Sequence, residues 1–231
     1  MSERIKKIFE KKGKKLVTFT TGGDPDLNTS LEILKTIINN GIDIIEIGMP
    51  FSDPMADGPT IQESSVRSLS NGTKINDIFE IVMNIREYNN EIPIILMGYY
   101  NSVFSLGVDN FTAKCAEVGV DGLIIVDLQP EEDSELFTKS RQRDIDLIRL
   151  ITPTTDDKRL ITILSNASGF LYYVTVTGIT GQNSANIENL KKSIDGIRTS
   201  TKLPIVAGFG IKNRNDVEQI STFADGVVVG S

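Results

Sequence analysis

Three carboxylates lie close together within residues 46–60, which read EIGMPFSDPMADGPT. Glu46 stands near the end of an apolar run, and Asp53 and Asp57 follow in a loop that contains proline and glycine. A buried carboxylate without a cationic partner either costs several kcal/mol of stability or takes a raised pKa. A carboxyl group with a raised pKa can both donate and accept a proton near neutral pH. Glu46 is therefore the first candidate for an acid–base group.

The other candidates for proton transfer are few, because the chain contains no histidine. Histidine-based triads and most zinc sites are thereby excluded, and acid–base chemistry must fall to Glu, Asp, Tyr or Lys. Asp53 and Asp57 belong to Asp-Pro and Asp-Gly pairs, so turn formation alone would explain them. Tyr172 and Tyr173 lie in one apolar segment and point to opposite faces. The residues leave open which of the two rings faces a site.

Three glycine-bearing segments point to a bound phosphate. They read TGITG at 177–181, GFGI at 208–211 and VVGS at 228–231. Each follows or ends an apolar run, and glycine lets backbone N–H groups approach an anion closely. Together they favour phosphate binding over simple tight turns.

The elements that must position these residues are short β-branched runs that alternate with amphipathic helical patterns. We predict eight strands, at 16–20, 44–47, 92–97, 122–126, 145–150, 170–175, 203–207 and 226–229. We predict helices between them, at 29–40, 60–69, 75–88, 109–118, 131–141, 156–165, 186–199 and 213–222.

This alternation favours a parallel sheet, and eight repeats favour one α/β domain over residues 1–231, closed into a (β/α)8 barrel. A doubly wound open sheet is the alternative. An extra N-terminal helix is expected, because Ile5, Ile8 and Phe9 share one face and Ser2 is a candidate N-cap. No helix follows the eighth predicted strand, so we expect the C-terminal helix of the barrel to be lacking.

Composition restricts the function classes. The net charge of -7 disfavours nucleic-acid binding. The single cysteine, Cys115, excludes an internal disulfide and is expected to be a small core thiol. The N-terminal segment has no signal-peptide pattern and no stretch reads as a membrane span, so the cytoplasm is the expected location.

The sequence resembles the tryptophan synthase α subunit family along nearly its whole length. The run EIGMPFSDPMADGPTIQ resembles the family signature, and TTGGDPD, PIILMGYYNSVF, VGVDGLIIVDLQPEE, YYVTVTGITG, VAGFGI and VVVGS follow the family order. The resemblance implies a TIM barrel that cleaves indole-3-glycerol phosphate to indole and glyceraldehyde 3-phosphate, a retro-aldol reaction without a cofactor.

The resemblance also implies residue roles. Glu46 would be the general acid–base, Asp57 would hold the indole N–H, and Tyr172 would flank Glu46. Thr180 would lie in a mobile loop and contact Asp57 on closure. Phosphate contacts would fall on Gly181, Gly210, Gly230 and Ser231, and the indole pocket would be lined by Phe19 and Met97.

A partner is implied as well: a β subunit that carries pyridoxal phosphate, in an α2β2 complex, and receives indole through a tunnel. Pro50, Asp53 and Asn101 would face it. Gln129 and Ser102 stand near that surface where the family usually or frequently has proline.

Two other interpretations are weaker. One is another phosphosugar barrel, such as an indole-glycerol-phosphate synthase or a phosphoribosyl isomerase; the synthase would need a catalytic lysine inside the barrel, and the predicted strands offer none. A non-catalytic regulatory subunit would be marked by loss of Glu46 or Asp57, and both are present.

Overall fold

The structure, a computed structural model, describes residues 1–174, 184–208, 210–211 and 213–230, with the backbone alone for 184–186. Within these residues one sheet of parallel strands has the order β5-β4-β3-β2-β1-β9-β8-β7-β6. Its strands are Lys15–Thr21 (β1), Ile44–Gly48 (β2), Ile94–Gly98 (β3), Gly122–Ile125 (β4), Asp146–Leu147 (β5), Arg149–Ile151 (β6), Leu171–Val174 (β7), Ile205–Gly208 (β8) and Gly226–Val229 (β9).

The sheet closes into a barrel through a continuous piece of chain. β5 and β6 occupy the two ends of the strand order, and only Ile148 separates them in sequence. β5 pairs with β4 and β6 pairs with β7, so the continuous segment 146–151 pairs with both edges of the sheet and closes it. The Ile148 amide donates to the Leu123 carbonyl at 3.0 Å and extends the ladder on the β4 side. The predicted eight-stranded barrel is therefore confirmed, with its fifth strand divided in two.

The helices alternate with the strands as predicted, with one addition. The described residues contain α1 (Glu3–Glu10), α2 (Leu27–Asn39), α3 (Pro59–Ser70), α4 (Ile75–Tyr88), α5 (Tyr100–Leu106), α6 (Val108–Val118), α7 (Ser134–Arg141), α8 (Asp157–Ser165), α9 (Ser184–Arg198) and α10 (Arg214–Ile220). The sequence patterns did not predict α5, because seven residues are too few for a helical period to stand out. No described helix is long and apolar enough to cross a membrane.

Helix α1 packs across one end of the barrel, against the interior core. Ile5 and Ile8 are buried, and the ring of Phe9 contacts that of Phe170 at 5.6 Å between centroids. The expectation for Ser2 needs correction. It occupies the N-cap position, but its hydroxyl does not cap the helix and donates instead to Asp121 at 2.6 Å. Burial of Asp121 explains this, since a buried carboxylate requires donors.

Asp121 is the centre of a buried polar network that fastens α1 to the barrel. Its Oδ1 accepts from Ser2 and, at 3.2 Å, from Arg4; its Oδ2 accepts from the Ile94 amide at 2.9 Å and from Arg86. Asp121 and Arg86 are both largely withdrawn from solvent. Breaking a buried ion pair by removing one partner is costly, because the remaining charge stays desolvated.

We expect Asp121→Asn to lower the free energy of unfolding by about 3 kcal/mol, since Arg86 loses its counter-charge. Urea denaturation followed by circular dichroism measures the change. Asp109→Asn is the control, because Asp109 is exposed, and its ion pairs with Lys139 and Arg143 are screened by water. Equal decreases in the free energy of unfolding in the two variants would contradict the conclusion that burial makes the Asp121 ion pair the more stabilising one.

Side chains along the strands point alternately into the barrel interior and outward toward the helices. Interior-facing residues form one cluster with α1, and outward-facing residues pack against the surrounding helices in two others. Cys115 lies on α6 and is fully buried in an outer cluster. This agrees with the expected core thiol, and burial raises the pKa of that thiol.

Candidate active site

Glu46 lies inside the barrel, on β2. Its Cα pairs with Phe19 of β1 and Ile95 of β3, and it shares the interior face with Ile44. Only 1% of Glu46 is exposed, although a strand-end glutamate could have reached solvent. The alternation along β2 thus places a carboxyl group among the apolar residues of the barrel interior.

The surroundings of Glu46 favour its protonated form. Burial and, secondarily, the Asp57 carboxylate raise its pKa to about 8. Its Oε1 has no hydrogen-bond partner in the described part of the chain. Most buried polar atoms in proteins are hydrogen-bonded, so an unpartnered one needs an explanation, and a catalytic role is one of them. At neutral pH such a group can donate a proton and, once ionised, take one back.

Asp57 lies in the loop between β2 and α3, half-buried at the barrel mouth. Burial raises the pKa of Asp57, and a hydrogen bond from the Tyr99 hydroxyl, at 2.9 Å, opposes that rise. The hydroxyl in turn accepts from the Ala56 amide at 3.0 Å. Tyr99 itself was not singled out from the sequence. The signal was available, since it directly follows β3 at the end where barrel enzymes carry their sites.

The choice left open between the two tyrosines is decided by the alternation along β7. Tyr172 belongs to the interior cluster, whereas Tyr173 packs outward against helices. Burial raises the pKa of Tyr172 well above its ordinary value, and Glu46 and Asp57 add to that rise. Tyr172 therefore lies within electrostatic reach of both carboxylates.

The absence of a side chain at Gly208 leaves space for the ring of Tyr172. A Cβ built on Gly208 would lie 2.3 Å from the Tyr172 hydroxyl oxygen, which is closer than real Cβ contacts come. Any larger residue at position 208 would displace this ring.

A cavity of about 540 Å³ opens at the carboxyl ends of the strands. Its volume lies within the range typical of small-molecule sites. It brings together many of the sequence-predicted site residues, and its lining includes Phe19, Asp57, Met97, Tyr172, Gly210 and Gly230. Glu46 does not line the cavity itself but is buried beside Tyr172 and Asp57. Apolar surface suited to an aromatic ring therefore lies next to carboxyl groups that can transfer protons.

Two of the predicted phosphate-site glycines, Gly210 and Gly230, line this cavity. Gly210 has a φ of 72°, a conformation that favours glycine, and Gly230 directly follows β9. A Cβ on Gly230 would lie 3.0 Å from Phe19. The absence of a side chain at Gly230 therefore allows its backbone to pack closely against Phe19. Gly181, Ser231 and Thr180 lie outside the described residues.

The three residues expected to face a partner lie around the barrel mouth. Pro50 is half-buried, and Asp53 and Asn101 are exposed. Two large apolar side chains near them in sequence are also exposed, Met55 at 83% and Phe104 at 68%. Within the described residues no cluster of three His, Cys, Asp or Glu side chains could hold a metal ion.

Comparison with known proteins agrees with this geometry. The family model described as "Tryptophan synthase alpha chain" matches residues 5–231. The tryptophan synthase alpha chain of Legionella pneumophila subsp. pneumophila is 35% identical, with a TM-score of 0.90 over 100% of this chain and 85% of that one. The Campylobacter jejuni alpha subunit is 35% identical, with a TM-score of 0.87 over 95% and 88%.

A protein from Aquifex aeolicus VF5 is 39% identical, with a TM-score of 0.90 over 99% of this chain and 87% of that one. The family match covers almost the whole sequence, and the structural matches cover the same barrel. The chain therefore belongs to the tryptophan synthase alpha chain family, whose reaction is the retro-aldol cleavage of indole-3-glycerol phosphate to indole and glyceraldehyde 3-phosphate.

Proposed function

We propose that Glu46 is the general acid–base, and Asp57 the electrostatic partner, for the cleavage of indole-3-glycerol phosphate by this chain. The observation that carries the proposal is the buried carboxyl group of Glu46 beside a ligand-sized cavity, with an Oε1 that has no hydrogen-bond partner among the described residues. Its raised pKa supports the same role, because the group holds a proton at neutral pH and can still release it.

The reaction needs two proton transfers, one from Glu46 to the substrate and one from the substrate back to Glu46. Protonated Glu46 gives its proton to C3 of the indole ring, which leaves positive charge on the ring nitrogen. The Glu46 carboxylate then takes the proton of the hydroxyl on the carbon attached to C3. The bond between C3 and that carbon breaks, its electron pair restores the aromatic ring, and the carbon becomes the aldehyde of glyceraldehyde 3-phosphate. Glu46 ends the cycle protonated, so no net proton is consumed.

Asp57 stabilises the positive charge that develops on the indole nitrogen and accepts a hydrogen bond from its N–H. A fixed carboxylate at the cavity wall needs little reorganisation when the charge appears. Tyr172 flanks Glu46 and helps to exclude water from the carboxyl group. Exclusion of water keeps the pKa of Glu46 high, since burial is the largest cause of its shift.

Substrate binding divides the cavity into an apolar part and a phosphate part. Phe19 and Met97 contact the indole ring. The backbone at Gly210 and Gly230 approaches the phosphate, together with Gly181 and Ser231 outside the described residues. The expected contact of Thr180 with Asp57 likewise falls outside the described residues.

The chain works with a tryptophan synthase β chain in an α2β2 complex in the cytoplasm, and pyridoxal phosphate belongs to that partner rather than to this chain. Pro50, Asp53 and Asn101 form part of the contact. The exposed Met55 and Phe104 support this, because they lie close in sequence to Asp53 and Asn101 and large exposed apolar side chains are typical of interaction sites.

The experiment that tests the function is a measurement of indole release from indole-3-glycerol phosphate. It is made with the chain alone and with a tryptophan synthase β chain added. Release that rises on adding the β chain supports both the reaction and the complex. No release under either condition, from a folded chain, would contradict the proposed function.

The pH dependence of cleavage gives a further prediction. Glu46 must be protonated to begin the reaction, so activity falls as pH rises through about 8, whereas the acidic limb of the profile reflects the ionisation of Asp57. The profile of kcat/KM measured from pH 6 to 10 should show this alkaline limb. A profile that stays flat across pH 8 would contradict the acid role of Glu46.

A further inference from the structure

We propose that Tyr99 is a positioning residue, which holds the Asp57 carboxylate and its loop in place at the mouth of the barrel. The inference rests on the proposed function, because it assigns a support to one of the two carboxylates. Tyr99 has no expected contact with the reacting atoms and acts through Asp57.

The Tyr99 hydroxyl makes two hydrogen bonds with consecutive residues of the loop. It donates to Asp57 Oδ2 at 2.9 Å and accepts from the Ala56 amide at 3.0 Å. One bond fixes the Asp57 carboxylate and the other fixes the adjacent backbone of the loop. A single hydroxyl group thus determines both where the carboxylate lies and how the loop is oriented.

The tyrosine ring is itself rigidly held. Tyr99 is 3% exposed, and its ring stacks on that of Phe51 with centroids 5.0 Å apart and planes inclined by 24°. Its carbonyl accepts from the Ser102 amide at 3.1 Å, and the next amide, of Tyr100, donates to Asp127 at 2.7 Å. Because β3 ends and α5 begins here, two elements of the scaffold support the hydroxyl.

Tyr99 also lies where it can influence the charge of Asp57. Among the described residues, the titratable groups that face Asp57 are Tyr99 after β3, Glu46 on β2 and Tyr172 on β7, and Asp127 faces Tyr99. Burial raises the pKa of Tyr99, so its hydroxyl remains a donor throughout the working pH range. The bond that it donates stabilises the ionised form of Asp57 and lowers the pKa of that carboxyl.

Tyr99→Phe removes the hydroxyl and retains the stacked ring. We expect kcat for indole release to fall about tenfold, since a hydrogen bond to a charged group is lost, with KM changed by less than about twofold. The acidic limb of the kcat/KM profile should move to higher pH. Without the Tyr99 bond the pKa of Asp57 rises, so the ionised carboxylate forms only at higher pH.

The matched control is Tyr100→Phe. It removes the hydroxyl of the adjacent tyrosine, whose pKa is affected by burial and Glu135 rather than by Asp57. This variant should keep the wild-type kcat and the wild-type acidic limb. Both variants are measured in complex with a tryptophan synthase β chain.

A second measurement does not depend on activity. The carboxyl carbon of Asp57, observed by ¹³C NMR, should titrate at higher pH in Tyr99→Phe than in the wild-type chain. If the titration moves but wild type releases no indole, the proposed function fails and the positioning role stands. Unchanged kcat, acidic limb and carboxyl titration in a folded Tyr99→Phe chain would overturn the positioning role itself.

Discussion

Glu46→Gln should reduce indole release by about a thousandfold or more, because the amide can neither give nor take the proton that the reaction moves. Glutamine has nearly the shape of the protonated glutamate, so the cavity and the neighbouring Tyr172 keep their places. KM for indole-3-glycerol phosphate should change little. The loss then appears in kcat, as expected for a group that acts only in the chemical step.

The stability of this variant separates catalysis from folding. With a pKa of about 8, Glu46 is mostly protonated at pH 7, so the substitution replaces one neutral group with another. We expect the melting temperature to be unchanged or higher than that of wild type. A large fall would mean that Glu46 supports the fold and that the kinetic loss has a structural cause.

Glu80→Gln provides the matched control. Glu80 lies on the exposed face of α4, so the same chemical change is made far from the cavity. It should leave kcat and KM at wild-type values. Cleavage by Glu46→Gln at more than about a tenth of the wild-type rate would refute the acid–base assignment, since proton transfer by a positioned side chain contributes far more than that.

The barrel could be predicted from sequence because its strands and helices differ clearly in composition. The run IIEIG is β-branched and apolar, whereas 75–88 carries a helical period, and both elements were found close to their predicted bounds. Helix α5 was missed because it has only seven residues and is separated from β3 by Tyr99 alone. The division of the fifth strand was missed for another reason. It depends on which neighbour each residue pairs with, and that is a tertiary property.

Part of the candidate site could also be predicted from the sequence. The alternation of side chains along a strand placed Glu46 and Ile44 on one face. It also showed that Tyr172 and Tyr173 must point to opposite faces. It could not decide which tyrosine faces inward, because both faces of a barrel strand are buried and apolar. Tyr99 directly follows β3, and that position was an available signal, but the position alone did not indicate its role. Its role depends on a contact with Asp57, 42 positions away in sequence, and no spacing rule predicts such a contact.

Asp57→Asn should lower kcat/KM for cleavage by about a hundredfold, because the fixed negative charge that meets the developing charge on the indole nitrogen is lost. Asparagine retains an acceptor oxygen, so the hydrogen bond from Tyr99 can persist and the loop can stay in place. The variant therefore tests charge rather than position, whereas Tyr99→Phe tests position.

A second effect of the same substitution appears in the pH profile. Asp57 contributes to the raised pKa of Glu46 by charge repulsion, although burial is the larger cause. Removing the charge lowers the pKa of Glu46, so protonated Glu46 is lost at lower pH. The alkaline limb of the remaining activity should move down in Asp57→Asn and stay in place in the control Asp195→Asn, on the exposed face of α9. An unmoved limb with reduced kcat would separate the two roles of Asp57. It would mean that burial alone sets the proton affinity of Glu46 and that the Asp57 carboxylate acts on the substrate only.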